Sequence, residues 1–373
     1  MQSIINMNQN IWSIVATRTT FANIITTTLC LTFITAAFIL YHPTMNSKNN
    51  KDEIVHEEDL NLNKKNQDHS IHFLSLVIPA YNEELRLPPT LVSIIESLHS
   101  RKEEIMTLCQ DITVHLDGAN ENKFNRKTPF EIIIVNDGSN DNTTSAAKTI
   151  LHNTESINLD GISIRLLTLP TNSGKGAAVK TGMLHTNGHL CLMLDADNAT
   201  NFQPSILKLL QRMTQMQNED RNNDSTKHTK RKEHNKELIV FGSRAHLQED
   251  SKANRSFIRT CLMIAFHFFV KTLCSNLVHD TQCGFKLFTR DAAILLFDNL
   301  HLTRWAFDTE VVVMAEKFGI PITEVGVEWE EVDGSKLATS KLALLIASIE
   351  MLRDMLYVNV MYTLGLWKLH RME

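Results

Sequence analysis

The sequence predicts an α/β fold built on a mostly parallel central sheet. Three observations predict it. Between residues 71 and 330 short apolar runs alternate with helical patterns, the order expected of βαβ units. The runs are dominated by apolar residues, as expected of buried strands. Two of them end abruptly in acids, at the place where open α/β sheets bind ligands.

The elements follow in order. Leu74 to Ala80 reads as a first buried strand, followed by a helix through Leu91 to Leu98. Glu131 to Val135 is a second strand, ending in Asn136-Asp-Gly-Ser139. Ile164 to Leu169 is a third, and Gly176 to Leu184 is helical. His189 to Leu194 is a fourth strand, ending in Asp195-Ala-Asp197. A helix follows Pro204, a favoured first-turn residue. Glu237 to Phe241 is a fifth strand.

The 373 residues allow about two domains. With 43% hydrophobic and 21% charged residues, a wholly disordered, collagen-like or disulfide-scaffold chain is excluded. The balance of 37 basic against 42 acidic residues gives −5, so there is no overall basic field and no nucleic acid is expected as a partner. Six Cys form no CxxC pair and read as small buried thiols rather than bridges or a zinc site.

Within an N-terminal segment, 1–41, Thr19 to Tyr41 carries no charge for 23 residues. As a helix it spans about 35 Å, enough for a bilayer core, and is expected to be an uncleaved transmembrane anchor. Arg18 precedes it, while Lys48, Lys51, Lys64 and Lys65 follow, which points to a cytosolic main body. Of four N-x-S/T sequons, Asn142 and Asn198 lie inside the acidic motifs, where glycans would block a site; this also argues against a lumenal domain. Residues 42–70 read as a polar linker and 71–336 as the catalytic domain. Residues 217–237 contain no apolar residue and read as a surface insertion, with 101–129 a weaker one. Residues 337–373 read as amphipathic helices, with Leu342, Leu345, Ile349, Leu352 and Leu356 in one stripe. Phe257 to Cys274 is a further apolar helix, too interrupted by charge to span. Both segments suit either the membrane plane or ordinary packing.

Asp195 and Asp197, one residue apart at a strand end, can share a divalent cation; hard oxygen ligands suit Mg²⁺ or Mn²⁺ completed by substrate phosphates. The bland alternative is a turn cap. Asn172-Ser-Gly-Lys-Gly176 precedes a helix whose N-terminus favours an anion. It is not a nucleotide-hydrolysing P-loop, because Leu169 and Gly176 stand where that motif needs Gly and Ser or Thr.

The run Val77-Ile-Pro-Ala-Tyr-Asn-Glu83, then Val135 to Ser139, Asn172 to Gly176 and Asp195-Ala-Asp197, resembles family 2 glycosyltransferases of the GT-A fold. Gly242-Ser-Arg244, Asp280 to Phe288, Arg304-Trp-Ala-Phe-Asp308 and Trp329 to Lys336 are similar to the branch of that family that glucosylates dolichyl phosphate. His301 stands where processive members carry Gln, which argues against a polymerase. The resemblance implies a UDP-glucose donor and inverting transfer to dolichyl phosphate at the endoplasmic reticulum membrane, for lipid-linked oligosaccharide assembly. By the same resemblance Pro79, Tyr81, Glu83 and Asp137 line the nucleoside pocket. Lys175 faces the donor, and Asp195 and Asp197 hold the metal on its diphosphate. Arg244 and Lys286 are candidate cations for the acceptor phosphate, with Lys336 a third. Asp308, or else Asp280, is the candidate acceptor-side base, although acids at the start of a helix also simply complement its dipole. The rival readings are a polyprenyl-phosphate mannosyltransferase using GDP-mannose and an inactive, membrane-tethered GT-A binding protein.

Overall fold

The computed structural model describes residues 56–60, 72–117, 127–152, 158–224, 237–245, 278–332 and 341–371, with Thr32. The chain divides into units Met1–Asp52 and Glu53–Glu373, and every element below belongs to the second. Apart from Thr32, the expected anchor Thr19–Tyr41 lies outside the described residues, as does Phe257–Cys274. Among the described residues no helix is long and apolar enough to cross a membrane.

Eight strands form one sheet: β1 (His56–Asp59), β2 (His72–Ala80), β3 (Phe130–Asn136), β4 (Ile162–Thr168), β5 (Gly188–Leu194), β6 (Ile239–Ser243), β7 (Phe285–Thr289) and β8 (Ile322–Gly326). Their order is β1-β4-β3-β2-β5-β7-β6-β8. β4, β3, β2 and β5 run parallel, as do β6 and β8. β1 is antiparallel to β4, and β7 is antiparallel to both β5 and β6.

The helices are α1 (Leu87–Ser100), α2 (Lys102–Asp117), α3 (Thr143–His152), α4 (Lys175–Leu184), α5 (Phe202–Asp224), α6 (Arg290–Asp298), α7 (Phe307–Phe318) and α8 (Lys341–Thr363). α1 starts with two prolines in its first turn, where their missing N–H is no loss, and buries Leu91, Ile94, Ile95 and Leu98. α4 lies so close to β2 that a Cβ on Gly182 would fall 2.3 Å from Val77. The five predicted strands are all present. They are mostly apolar, as expected of strands covered on both faces, and their few polar members such as Ser75, Glu131 and Arg165 bond to one another.

Three sequence expectations are corrected. The 42–70 linker contains β1, an edge strand with no apolar side chain. Its Glu57 and Glu58 pair with Arg165 and Lys148 at 2.7 and 2.6 Å, and Leu60 just after it is buried. The 101–129 insertion is α2 over 102–117. Its Ile105, Cys109 and Ile112, at helical spacing, are fully buried, and it packs on α5. The 217–237 insertion begins as a continuation of α5 to Asp224. There Gln217 is buried, its amide donating to the Ile112 carbonyl at 3.1 Å. In α2 the polarity reflects one-sided burial.

The C-terminal stripe faces partly outward: Ile349 is 58% exposed, and Leu352 and Leu356 are half-buried. Among its described side chains α8 buries Met351, Asp354, Met355, Val358, Met361 and Tyr362.

Candidate active site

Every sequence-predicted site residue with described coordinates lies at one end of the sheet; Lys336 lies outside the described residues. Pro79, Tyr81 and Glu83 stand at the end of β2, Asp137 follows β3, Asp195 and Asp197 follow β5, and Arg244 follows β6. Because β7 runs antiparallel, its entry, with Asp280 and Lys286, comes to that same end. Lys175 opens α4 and Asp308 lies in the first turn of α7.

Asp137 is buried, and both of its carboxylate oxygens are engaged. Oδ1 accepts the Ser173 N–H at 2.7 Å and Oδ2 the Gly174 N–H at 2.9 Å. Burial pushes its pKa up, against these two bonds. Gly138 is left-handed at φ 62°, and a Cβ there would fall 2.5 Å from Thr171. The Asn-Asp-Gly-Ser turn therefore clasps the 171–174 loop. In the structure the Asp137 carboxylate accepts bonds from the chain itself, at the strand end where the nucleoside pocket is expected.

Three acid–base pairs organise the rest. Lys175 Nζ lies 2.6 Å from Asp195 Oδ1 and 5.7 Å from the centroid of the exposed Trp305. Burial opposes its charge, but Asp195 and Asp308 outweigh burial and the pKa rises. Lys286, 1% exposed, donates to Asp308 Oδ1 at 2.7 Å and to the Cys283 carbonyl at 2.6 Å. Burial pushes Asp308 up, against the pull of Lys286 and Lys175. Arg244 grips Asp280 as a fork at 2.8 and 2.8 Å, adds its backbone N–H at 2.9 Å, and lies over the Trp329 ring. So the four candidates for acceptor-side work, Arg244, Lys286, Asp280 and Asp308, form two ion pairs. Lys286, the candidate acceptor cation, is 1% exposed within β7 and paired with Asp308.

The sequence pointed to no role for Arg86. Its guanidinium forks Glu83 at 2.7 and 2.5 Å, within electrostatic reach of Asp197 and Asp195. The signal was present in the spacing Glu83-Glu-Leu-Arg86, an i,i+3 pair. Glu83 is thereby a partner of Arg86 and, through its backbone N–H to Thr143 at 2.7 Å, a link to α3.

Among the described residues no three His, Cys, Asp or Glu side chains cluster to hold a metal unaided. Asp195 and Asp197 provide two carboxylates. Lys175 occupies one Asp195 oxygen, and Asp197 Oδ1 accepts the Ala199 N–H at 3.1 Å. This hard donor set fits Mg²⁺ or Mn²⁺ provided diphosphate oxygens complete the shell. Gly284 makes room for it: a Cβ there would fall 2.0 Å from Asp195 Oδ2. Gly284→Ala is therefore expected to displace the carboxylate and lower turnover about 10²-fold, the scale of an ångström's misplacement. Circular dichroism and steady-state kinetics on the same preparation check this.

Asp280 carries a pH signature. Burial alone would raise its pKa, but the bonds and charge of Arg244 hold it below the ordinary value of 3.8. A depressed acid stabilises the fold above its unfolded pKa, and that stability is lost as pH falls through the folded value. Asp280→Asn is expected to lower the melting temperature at pH 7, and the gap from wild type should close as pH drops below 4. Melting curves from pH 3 to 7 measure this.

Residues 116–296 match the family model described as Glycosyl transferase family 2. The dolichyl-phosphate beta-glucosyltransferase of Dictyostelium discoideum is 40% identical over 298 residues, covering 80% of this chain and 77% of its own. The Homo sapiens protein of that name is 37% identical over 298 residues, 80% of this chain and 78% of its own. The Saccharomyces cerevisiae one is 35% identical over 309 residues, 83% and 80%. A solved structure, glucosyl-3-phosphoglycerate synthase from Mycobacterium tuberculosis, aligns at 15% identity over 77% of this chain and 80% of that one, with a TM-score of 0.43. With the motifs gathered at one end of a GT-A-like sheet and this identity spread over four-fifths of its length, the chain belongs to glycosyl transferase family 2, among the dolichyl-phosphate β-glucosyltransferases.

Proposed function

We propose that this enzyme moves glucose from UDP-glucose to dolichyl phosphate with inversion at the anomeric carbon. The observation that carries the reading is the Asp195–Asp197 pair at the end of β5, with Lys175 2.6 Å from Asp195 and the Lys286–Asp308 and Arg244–Asp280 pairs beside it. In one displacement an acceptor phosphate oxygen bonds to the anomeric carbon as the bond to UDP breaks, and UDP leaves with the electron pair. Mg²⁺ or Mn²⁺ held by Asp195, Asp197 and the diphosphate would neutralise charge on the leaving group. Lys175 adds a cation beside it. The second pKa of a phosphate monoester is about 6, so the acceptor is already mostly dianionic at pH 7 and needs little base catalysis. In this scheme Asp308 orients Lys286 rather than taking a proton, and Arg244, held rigid by Asp280, presents positive charge to the acceptor side.

The same reading places the domain at the cytosolic face of the endoplasmic reticulum, tethered by Thr19–Tyr41, with the outward Ile346 and Ile349 of α8 turned to the membrane. Asn142 opens the turn that clasps Glu84, and Asn198 follows Asp197, so glycans at either would crowd the site. Membranes containing the enzyme, given dolichyl phosphate and labelled UDP-glucose or GDP-mannose, test the proposal. Label should enter lipid from UDP-glucose only, stop with chelator, and resume with Mg²⁺ or Mn²⁺. Transfer from GDP-mannose instead would overturn the donor, and undiminished transfer in chelator would overturn the metal.

A further inference from the structure

The loop 301–305 has no regular secondary structure, yet it lies against the helix start that carries Lys175. Thr303 O accepts the Ala177 N–H at 3.0 Å. Cβ atoms on Gly174 and Gly176 would fall 2.5 and 2.6 Å from the carbonyl oxygens of Thr303 and Leu302. The two segments are thus in backbone contact, and the position of the loop constrains the first turn of α4, where Lys175 sits.

What holds the loop comes from the C-terminal end of the described chain. Glu310, fully buried in α7, accepts the His301 N–H at 3.1 Å and the Leu302 N–H at 2.7 Å, and lies 2.9 Å from His301 Nδ1. Tyr362 of α8 donates its hydroxyl to the same carboxylate at 3.0 Å. Trp367 stacks flat on the His301 ring, 3.9 Å between centroids and 4° between planes. Beyond it, Asn299 and His370 exchange hydrogen bonds at 2.9 and 2.9 Å. The donor chemistry uses none of these groups. A buried carboxylate that joins one loop to the hydroxyl of α8, and an indole parallel to that loop's imidazole, are more than a helix needs in order to pack.

We propose that the strap from Tyr362 to Trp367 positions the donor-phosphate segment: Tyr362 and Trp367 lock Glu310 and His301, these lock 301–303, and Thr303 holds the first turn of α4. Tyr362, Trp367, Glu310 and His301 are positioning residues. The kinetic part of the test rests on the UDP-glucose reading, and the exchange part does not.

The test uses the full chain in detergent, comparing wild type with Trp367→Ala, Trp367→Phe and Val358→Ala. Val358 is buried on α8 but outside these bonds and stacks, so its truncation loosens the helix without addressing the loop. In Trp367→Ala, amide hydrogen exchange is expected to speed up at least several-fold over 301–303 and 174–178, and to stay unchanged over 132–135 of β3. Its kcat/KM for UDP-glucose should fall about 10- to 100-fold, the scale of a misplaced group. Trp367→Phe, which keeps a ring on His301, should restore most of both. Val358→Ala should lower the melting temperature and leave both readouts near wild type. Unchanged exchange over 174–178 in Trp367→Ala overturns the proposal. So does exchange that rises equally over β3, or the same kinetic loss in Val358→Ala. If wild type does not turn over UDP-glucose, the donor reading fails, and the exchange pattern still decides the strap.

Discussion

Lys286→Met is expected to destabilise the fold by about 3–5 kcal/mol, before any effect on acceptor use is read. The ammonium is 1% exposed, 2.7 Å from Asp308 and 4.9 Å from the centroid of the Phe241 ring. Removing it strands a carboxylate that burial already pushes towards protonation. Asp308→Leu should be comparably harmful, because it strands the cation instead. Replacing both by apolar residues of similar size removes the unpaired charge, and buried pairs so replaced are often neutral or better in stability. The expected pattern is therefore two unstable single variants and a double variant that recovers most of the lost stability while remaining inactive. Denaturant unfolding of all four proteins, with transfer assayed on the folded fraction, completes the cycle. Single variants as stable as wild type, with only the KM for dolichyl phosphate raised, would make Lys286 an acceptor cation after all.

Asp195→Asn is expected to cost about 10³-fold or more in turnover with little loss of stability, since its side chain is 32% exposed. On the proposed reading two functions fall together: one of two hard ligands for the cation, and the counter-charge that holds Lys175. Asp197→Asn keeps the Lys175 pair and loses only a ligand. Raising Mn²⁺ should therefore rescue Asp197→Asn in part and Asp195→Asn hardly at all. Equal rescue of the two would mean that the Lys175 contact is incidental. Lys175→Met, scored in the same assay, should resemble Asp195→Asn in turnover while retaining metal affinity.

How much of this was legible in the sequence depends on what each residue must touch. β2 to β5 were readable because strands buried on both faces give near-continuous apolar runs. β1 was not, because an edge strand held by Glu57 and Glu58 has no apolar signature. α2 was readable in principle: Ile105, Cys109 and Ile112 keep helical spacing, but the charges between them suggested a solvated insertion. β7 was quoted as a motif and not recognised as a strand, because Lys286, its second residue, contradicts the pattern of a buried strand. At the site, the residue types at strand ends were visible; their pairings were not. Asp280 finds Arg244 across 36 residues and Lys286 finds Asp308 across 22, distances over which spacing says nothing about contact. Reading each charge as free for a ligand was the natural result, and the structure assigns most of them to one another.

The place of β7 in the sheet also bears on the order in which the molecule is built. β6 has neighbours only in β7 and β8, both later in the chain, and β5 completes its pairing only when β7 arrives. A growing chain can pair β1 to β5 as soon as Leu194 has emerged, but it then ends in an open edge with Asp195 facing no partner loop. The half that contains Gly284, Lys286 and Arg244 joins in one late event, as β7 inserts between two strands laid down before it. Such non-local insertion is slow, and the exposed edge of β5 is the segment most in need of protection while it waits. Asp195 thus gains its close neighbour Gly284 only when β7 completes the sheet.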